Sequence, residues 1–93
     1  MIGRRIKISK EDRRNIVEYL ETMPIKIAED FLKDVGLPAQ MHKIIVLRFL
    51  KRNKIKDVEV KLNLTQDIIS DRTTQGLNII LNYIKLKDID ITR

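Results

Sequence analysis

Residues 55–81 read IKDVEVKLNLTQDIISDRTTQGLNIIL and carry the clearest structural pattern of this 93-residue chain. Val58 and Leu62 are four residues apart, which places both on one face of a helix. Asn63 follows where the chain must turn, and asparagine tolerates the left-handed backbone conformation. Leu64 can fill the turn, and the Thr65 hydroxyl can cap the next helix. The pattern therefore predicts two helices joined by a tight turn, a helix-turn-helix spanning residues 55–86.

The second helix of this unit is predicted to run from Thr65 to about Leu86. Gly76 lies beside its apolar face and would allow close packing there. Four residues share that face and are expected to point inward: Ile69, Thr73, Leu77 and Ile80. The opposite face is polar, so this helix is expected to present polar side chains to solvent.

Three more helices are predicted within residues 9–53, as a support for this unit. Ser9 begins a capping pattern, and Gly36 is a natural left-handed helix end. Prolines and this glycine separate three apolar segments: residues 9–22, 24–35 and 38–53. The third segment is apolar nearly all round, so we expect it to be the central helix.

The chain is thus expected to be one all-α domain, 1–93, folded as a compact bundle of about five helices with a C-terminal helix-turn-helix. Residues 1–8 are read as a basic arm and residues 87–93 as a tail. Ile6 and Ile8 alternate with lysine, and Ile89 and Ile91 alternate with acids, so a short ladder between the ends competes with an unpaired tail. The predicted core consists of Ile45, Phe49, Leu62, Ile69, Leu77 and Ile80.

Composition excludes several classes of function. The chain has no cysteine, so disulfides, thiolate zinc sites and cysteine nucleophiles are excluded. His42 is the single histidine, and the three glycines are isolated, so we expect no metal, no cofactor and no enzyme. The longest apolar run, Ile44 to Leu47, is far too short to span a bilayer. We therefore expect a cytoplasmic protein without a membrane partner.

A net charge of +6 and a pI of about 9.8 favour an anionic partner, although solubility alone also explains such a surplus. Two groups of basic residues stand out. The first precedes the helix-turn-helix: Lys51, Arg52, Lys54 and Lys56. The second lies near the N-terminus and reads either as a DNA-tracking arm or as a solvated terminus: Arg4, Arg5, Lys7, Arg13 and Arg14.

The predicted helix-turn-helix resembles region 4 of sigma-70-family factors and the related small phage transcriptional activators. Those families show an Ile-Ala pair, then Leu-Gly-Ile-Ser, then a Val and, further on, Arg-Ala-Leu. Here Val58 stands for the Ile, residues 62–65 for Leu-Gly-Ile-Ser, Ile69 for the Val, and Gly76 with Leu77 for the small residue and Leu. The resemblance covers residues 44–84, including the apolar and basic entry helix.

Three features depart from the family pattern. Glu59 stands where a small alanine is usual, and would crowd the partner helix. Gln75 replaces a basic residue. The second helix of the unit, which would be the recognition helix, has Arg72 as its only arginine. It also carries Asp67 and Asp71, whose negative charges are repelled by phosphate groups.

The resemblance implies sequence-specific DNA binding in transcriptional control, in a phage or mobile-element context. Gln pairs with adenine, Arg with guanine, and Asp can accept a hydrogen bond from cytosine. The expected groove-facing residues are Thr65, Gln66, Ser70, Asp71, Arg72, Thr74 and Gln75. The basic group Lys51, Arg52, Lys54 and Lys56 is expected to contact flanking phosphates.

The rival prediction is a protein-interaction module of the same fold that binds RNA polymerase, a sigma factor or another regulator. The acids of the recognition helix favour it. One helix-turn-helix reads one half-site, so a homodimer is also expected. Its contact residues would be apolar side chains of the last helix and tail, unless these pack on the first helix: Ile79, Tyr83, Leu86 and Ile89.

Overall fold

The computed structural model describes residues 8–89, which form five α-helices. The helices are α1 (Lys10–Thr22), α2 (Ile25–Val35), α3 (Ala39–Ile45), α4 (Ile55–Leu62) and α5 (Gln66–Leu86), and a π-helical segment, Val46–Leu50, extends α3. None of the residues 8–89 lies in a strand. The predicted all-α fold of about five helices is confirmed. The predicted terminal ladder falls mostly outside the described residues.

The first two helices end as the sequence predicts. The Ser9 hydroxyl accepts a hydrogen bond from the Asp12 backbone N–H at 3.0 Å and caps α1. Met23 and Pro24 are extended, which separates α1 from α2. Gly36 closes α2 in the left-handed conformation, with φ 77° and ψ 41°. The local signals at these positions were therefore sufficient to locate the breaks.

The third predicted helix, residues 38–53, needs a correction. Regular α-helix ends at Ile45, and Val46–Leu50 forms a wider turn in which the Lys51 N–H donates to the Val46 carbonyl at 2.9 Å. The chain then leaves the helix through Arg52, whose φ is +55°. Because residues 44–50 are apolar nearly all round, their periodicity carries no information about the width of the turn.

Two apolar clusters hold the bundle together. The larger joins α1, α2, the α3 segment and α5: Ile16, Leu20, Ala28, Leu32, Ile45, Val46, Phe49, Leu50, Leu77, Ile80 and Ile84. The smaller attaches α4 to α3 and α5 through Ile44, Val58 and Ile69. Ile44 and Ile45 are adjacent and serve different clusters, which confirms the central position of the third helix.

Five of the six predicted core residues are buried: Ile45, Phe49, Ile69, Leu77 and Ile80. Leu62 is the exception, because it lies at the end of α4 on the edge of the smaller cluster and is only half-buried. Gly76 does allow close packing, since a Cβ there would lie 3.3 Å from the Ile45 side chain. None of the described helices combines the length and apolarity needed to cross a membrane.

Candidate nucleic-acid interface

The turn between α4 and α5 has the predicted local structure. Asn63 ends α4 in the left-handed conformation, with φ 54° and ψ 49°. Leu64 is half-buried and packs on the smaller cluster. The Thr65 hydroxyl accepts a hydrogen bond from the Ile68 N–H at 3.3 Å and caps α5. These contacts fix the direction in which α5 leaves α4.

Asn63→Ala is expected to lower the free energy of unfolding by about 1 kcal/mol, since alanine pays the full steric cost of the left-handed region. Asn63→Gly should leave stability unchanged or raise it slightly, because glycine adopts this conformation without a Cβ clash. Urea titration of both variants checks the prediction. Equal stability of the two variants would show that the left-handed conformation of residue 63 does not cause the loss of stability in Asn63→Ala.

One face of α5 is open to solvent over its first three turns. Ile69 and Thr73 are buried on the inner face, so the residues between them face outward. Of the seven predicted groove-facing residues, four are exposed (Thr65, Gln66, Ser70 and Asp71) and three are half-buried (Arg72, Thr74 and Gln75). The Thr74 hydroxyl donates to the Ser70 carbonyl at 3.2 Å. The side chains of Gln66 and Ser70 form no hydrogen bond with any of the described residues.

Three of these residues form one hydrogen-bonded network. Asp71 Oδ2 accepts from Arg72 Nη1 at 3.0 Å and from Gln75 Nε2 at 2.9 Å. Arg72 Nε also donates to Gln40 Oε1 of α3 at 3.1 Å. Asp71 thus balances the charge of Arg72, and Gln40 holds the arginine against the bundle. Gln40 is 32 residues away in sequence, and no local pattern points to it.

The basic group before α4 is exposed. Lys51, Arg52, Lys54 and Lys56 form no ion pair with any residue in the range 8–89. Asn53 fixes the loop that carries them: its Nδ2 donates to the Leu47 carbonyl at 3.2 Å and its Oδ1 accepts from Lys61 Nζ at 3.1 Å. α4 is eight residues and about 12 Å long; Lys51, Arg52 and Lys54 precede it, and Lys56 lies in its first turn.

Arg48 is a polar residue that the sequence analysis did not single out. Its Nη1 donates to Thr73 Oγ1 at 3.1 Å, and the Thr73 hydroxyl donates to the Ile69 carbonyl at 2.7 Å. The guanidinium carbon lies 5.2 Å from the centre of the Phe49 ring. Burial, followed by the nearby charge of Arg13, lowers the pKa of Arg48. One signal was present: Arg48 interrupts the otherwise apolar segment 44–50.

The second basic group is only partly described. Arg13 is half-buried and Arg14 is exposed on α1, whereas Arg4, Arg5 and Lys7 lie outside the described residues. Arg13 lies on the face of α1 that carries Ile16 and Leu20, and these two residues pack against Phe49 and Leu50 of the π-helical segment in the larger cluster. The role of the second basic group as a DNA-tracking arm stays a prediction.

Two of the four apolar residues predicted for a dimer contact pack within the chain. Tyr83 packs edge-to-face on Phe31 of α2 at 5.7 Å, and Ile89 packs against the larger cluster. Ile79 is half-buried, and only Leu86 is largely exposed, at 82%. A dimer face built from all four residues is therefore not present.

No protein-family model matches the chain, and neither a curated protein nor a solved structure matches it. Within the part of the chain that the structure describes, no group of three or more histidine or acidic residues is placed to hold a metal ion.

Proposed function

We propose that this protein is a sequence-specific DNA-binding transcriptional regulator that acts through a helix-turn-helix formed by α4 and α5. The observation that carries the proposal is the pairing of two surfaces: an open polar face on α5, and the unpaired basic group Lys51, Arg52, Lys54 and Lys56 at the start of α4. In DNA-binding proteins, polar side chains of this kind contact base edges, and basic side chains bind phosphates.

In this proposal the N-terminal half of α5 enters the major groove. Gln66 and Ser70 point away from the bundle and are free to bond base edges. Arg72 uses one N–H of Nε and one of Nη1 within the chain, so three N–H groups remain for a guanine, one on Nη1 and two on Nη2. The contacts to Asp71 and Gln40 hold the guanidinium in one orientation and reduce the entropy lost on binding.

The basic loop would then lie along the phosphate backbone. Lys54 directly precedes α4 and Lys56 lies in its first turn, where the helix dipole also attracts anions. These two cations are at the end of α4 opposite the turn that leads into α5, as expected when the first helix crosses the backbone. The resemblance to small phage activators extends the proposal to a cytoplasmic regulator of phage or mobile-element origin.

A protein-interaction module that binds RNA polymerase, a sigma factor or another regulator is the second candidate. Val60 on α4 is 83% exposed and Ile68 on α5 is 39% exposed. Exposed apolar side chains beside the acids Asp67 and Asp71 suit a protein partner better than a phosphate backbone. Homodimer formation also remains a proposal, and Leu86 is the one largely exposed residue among its four predicted contact residues.

Replacing Lys54 and Lys56 together with glutamine is expected to weaken binding to every duplex sequence. The slope of log K against log salt should flatten by about two units, one for each lost phosphate contact. Polarisation titrations at several salt concentrations measure the slope. The matched control replaces Lys26 and Lys33, two exposed lysines of α2, and should leave the slope unchanged. Equal slopes for the two double variants would refute the phosphate role of the loop before α4.

A further inference from the structure

The guanidinium of Arg48 is held in one orientation but is largely unused. One of its five N–H groups bonds Thr73, and one face lies over Phe49. No buried side-chain nitrogen or oxygen among the described residues lacks a partner, so the remaining N–H groups of Arg48 reach solvent. The single donor of the Thr73 hydroxyl is used on the Ile69 carbonyl, so the hydroxyl can only accept from Arg48. The arrangement is an anchored donor fork with an open side.

No carboxylate of residues 8–89 forms an ion pair with this fork, since the one ion pair there joins Arg72 to Asp71. Arg13 lies on the face of α1 that carries Ile16 and Leu20, both of which pack in the cluster that contains Phe49. Burial, and then the charge of the half-buried Arg13, lower the pKa of Arg48. Two like charges that are partly removed from water destabilise the folded chain until an anion joins them.

We propose that Arg48, anchored on Thr73 and Phe49, and Arg13 of α1 form a binding site for a phosphate group. A planar guanidinium fork matches two oxygens of a phosphate, and the anionic phosphate oxygens can accept hydrogen bonds from both arginines. The π-helical turn Val46–Leu50 carries Arg48, and such turns are frequent at functional sites. The site does not depend on the proposed DNA-binding role of α4 and α5.

Two sources can supply this chemistry: free phosphate, and the phosphates of a nucleic-acid backbone. The test begins with thermal melting of the full chain while chloride is replaced by inorganic phosphate at constant ionic strength and pH. Saturable binding should raise Tm by roughly 5 °C or more once phosphate exceeds its Kd about tenfold. The amide signal of Thr73 and the Nε–H signal of Arg48 should shift in the same titration.

The matched variants are Arg13→Gln and Arg14→Gln, which remove the same charge from adjacent positions of α1. Arg13→Gln should lose at least half of the rise in Tm, whereas Arg14→Gln, at an exposed position, should keep it. Arg48→Lys keeps the charge but not the fork, and should also lose the rise. Because phosphate stabilises many proteins through exclusion from their surface, the difference between the two glutamine variants decides the test. Equal responses of those two variants, or no specific effect of phosphate, would overturn the proposal.

Duplex titration of the same variants distinguishes the two sources. If the backbone supplies the phosphate, Arg13→Gln should flatten the salt slope by about one unit and Arg14→Gln should not. If the phosphate response depends on Arg13 but the duplex slope does not, the site takes a free phosphate group. A chain that responds to phosphate through Arg13 but binds no duplex would refute the proposed DNA binding and leave this site supported.

Discussion

Phe49→Ala is expected to lower the free energy of unfolding by about 3–5 kcal/mol. Phe49 is 8% exposed and lies in the larger cluster, where its ring also supports the guanidinium of Arg48. The total stability of a small domain is about 5–15 kcal/mol, so the variant should lose a large share of it. Circular dichroism during urea and thermal unfolding gives the loss directly, with a large fall in Tm as the expected result.

Phe49→Leu is the matched control, because it keeps an apolar side chain at this position and should cost much less. Phe49 borders a cleft of about 190 Å³ between the end of α1, the start of α2 and Leu50. Leu20 and Met23 line the same cleft, and their collapse into the vacated space would move the cost of Phe49→Ala toward the lower end of the range. A Phe49→Ala protein that melts like the parent chain would show that the larger cluster does not depend on this ring.

Ile69→Ala is expected to cost about 2–5 kcal/mol and to act mainly on α4. Ile69 is fully buried and, with Ile44 and Val58, forms the smaller cluster that attaches α4 to the rest of the bundle. Its loss should increase hydrogen exchange of the α4 amides more than exchange in α1, since α1 packs on the larger cluster. Urea unfolding together with exchange measured residue by residue tests both parts of this prediction.

The neighbouring residue supplies the control for Ile69. Ile68 carries the same side chain in the same helical turn but is 39% exposed, so Ile68→Ala should change stability by only about 0.5 kcal/mol. Equal losses for the two variants would contradict the assignment of Ile69 to the smaller cluster. Loss of Ile69 should also weaken duplex binding, because α4 and α5 would no longer hold a fixed angle.

The local features of the fold could be predicted because each depends on a few adjacent residues. Ser9 and Thr65 cap α1 and α5, Gly36 and Asn63 adopt the left-handed conformation, and both capping hydroxyls accept the predicted kind of backbone hydrogen bond. The inward face of α5 followed from its helical spacing. These signals depend on residues that are close together in sequence, so they can be recognised without knowledge of distant contacts.

The features that escaped prediction depend on contacts between distant segments. The contact of Arg48 with Thr73 spans 25 residues, and that of Arg72 with Gln40 spans 32. Neither contact is indicated by a local sequence pattern. The wide turn at Val46–Leu50 was not predicted because its residues other than Arg48 are all apolar, so their spacing does not define the turn. Leu62 was placed too deep because periodicity does not show how far a cluster extends.

The candidate site was predictable only as a set of exposed residue types. Sequence spacing placed Gln66, Ser70 and Asp71 on the outer face of α5, and the structure exposes all three. The spacing could not show that Asp71 bonds both Arg72 and Gln75, since those contacts depend on rotamers and on Gln40 of α3. A DNA or protein partner that binds this face of α5 would contact that hydrogen-bonded network.

A polarisation titration of the full chain with a labelled random-sequence duplex tests the proposed DNA binding most directly. With the four cations Lys51, Arg52, Lys54 and Lys56 on phosphates, affinity should fall roughly 100-fold between about 50 and 200 mM salt. Non-specific binding at the lower salt should be detectable at micromolar protein, as is usual for such interfaces. Absence of binding at 50 mM salt with protein at about 100 μM, or binding that salt does not weaken, would contradict the account.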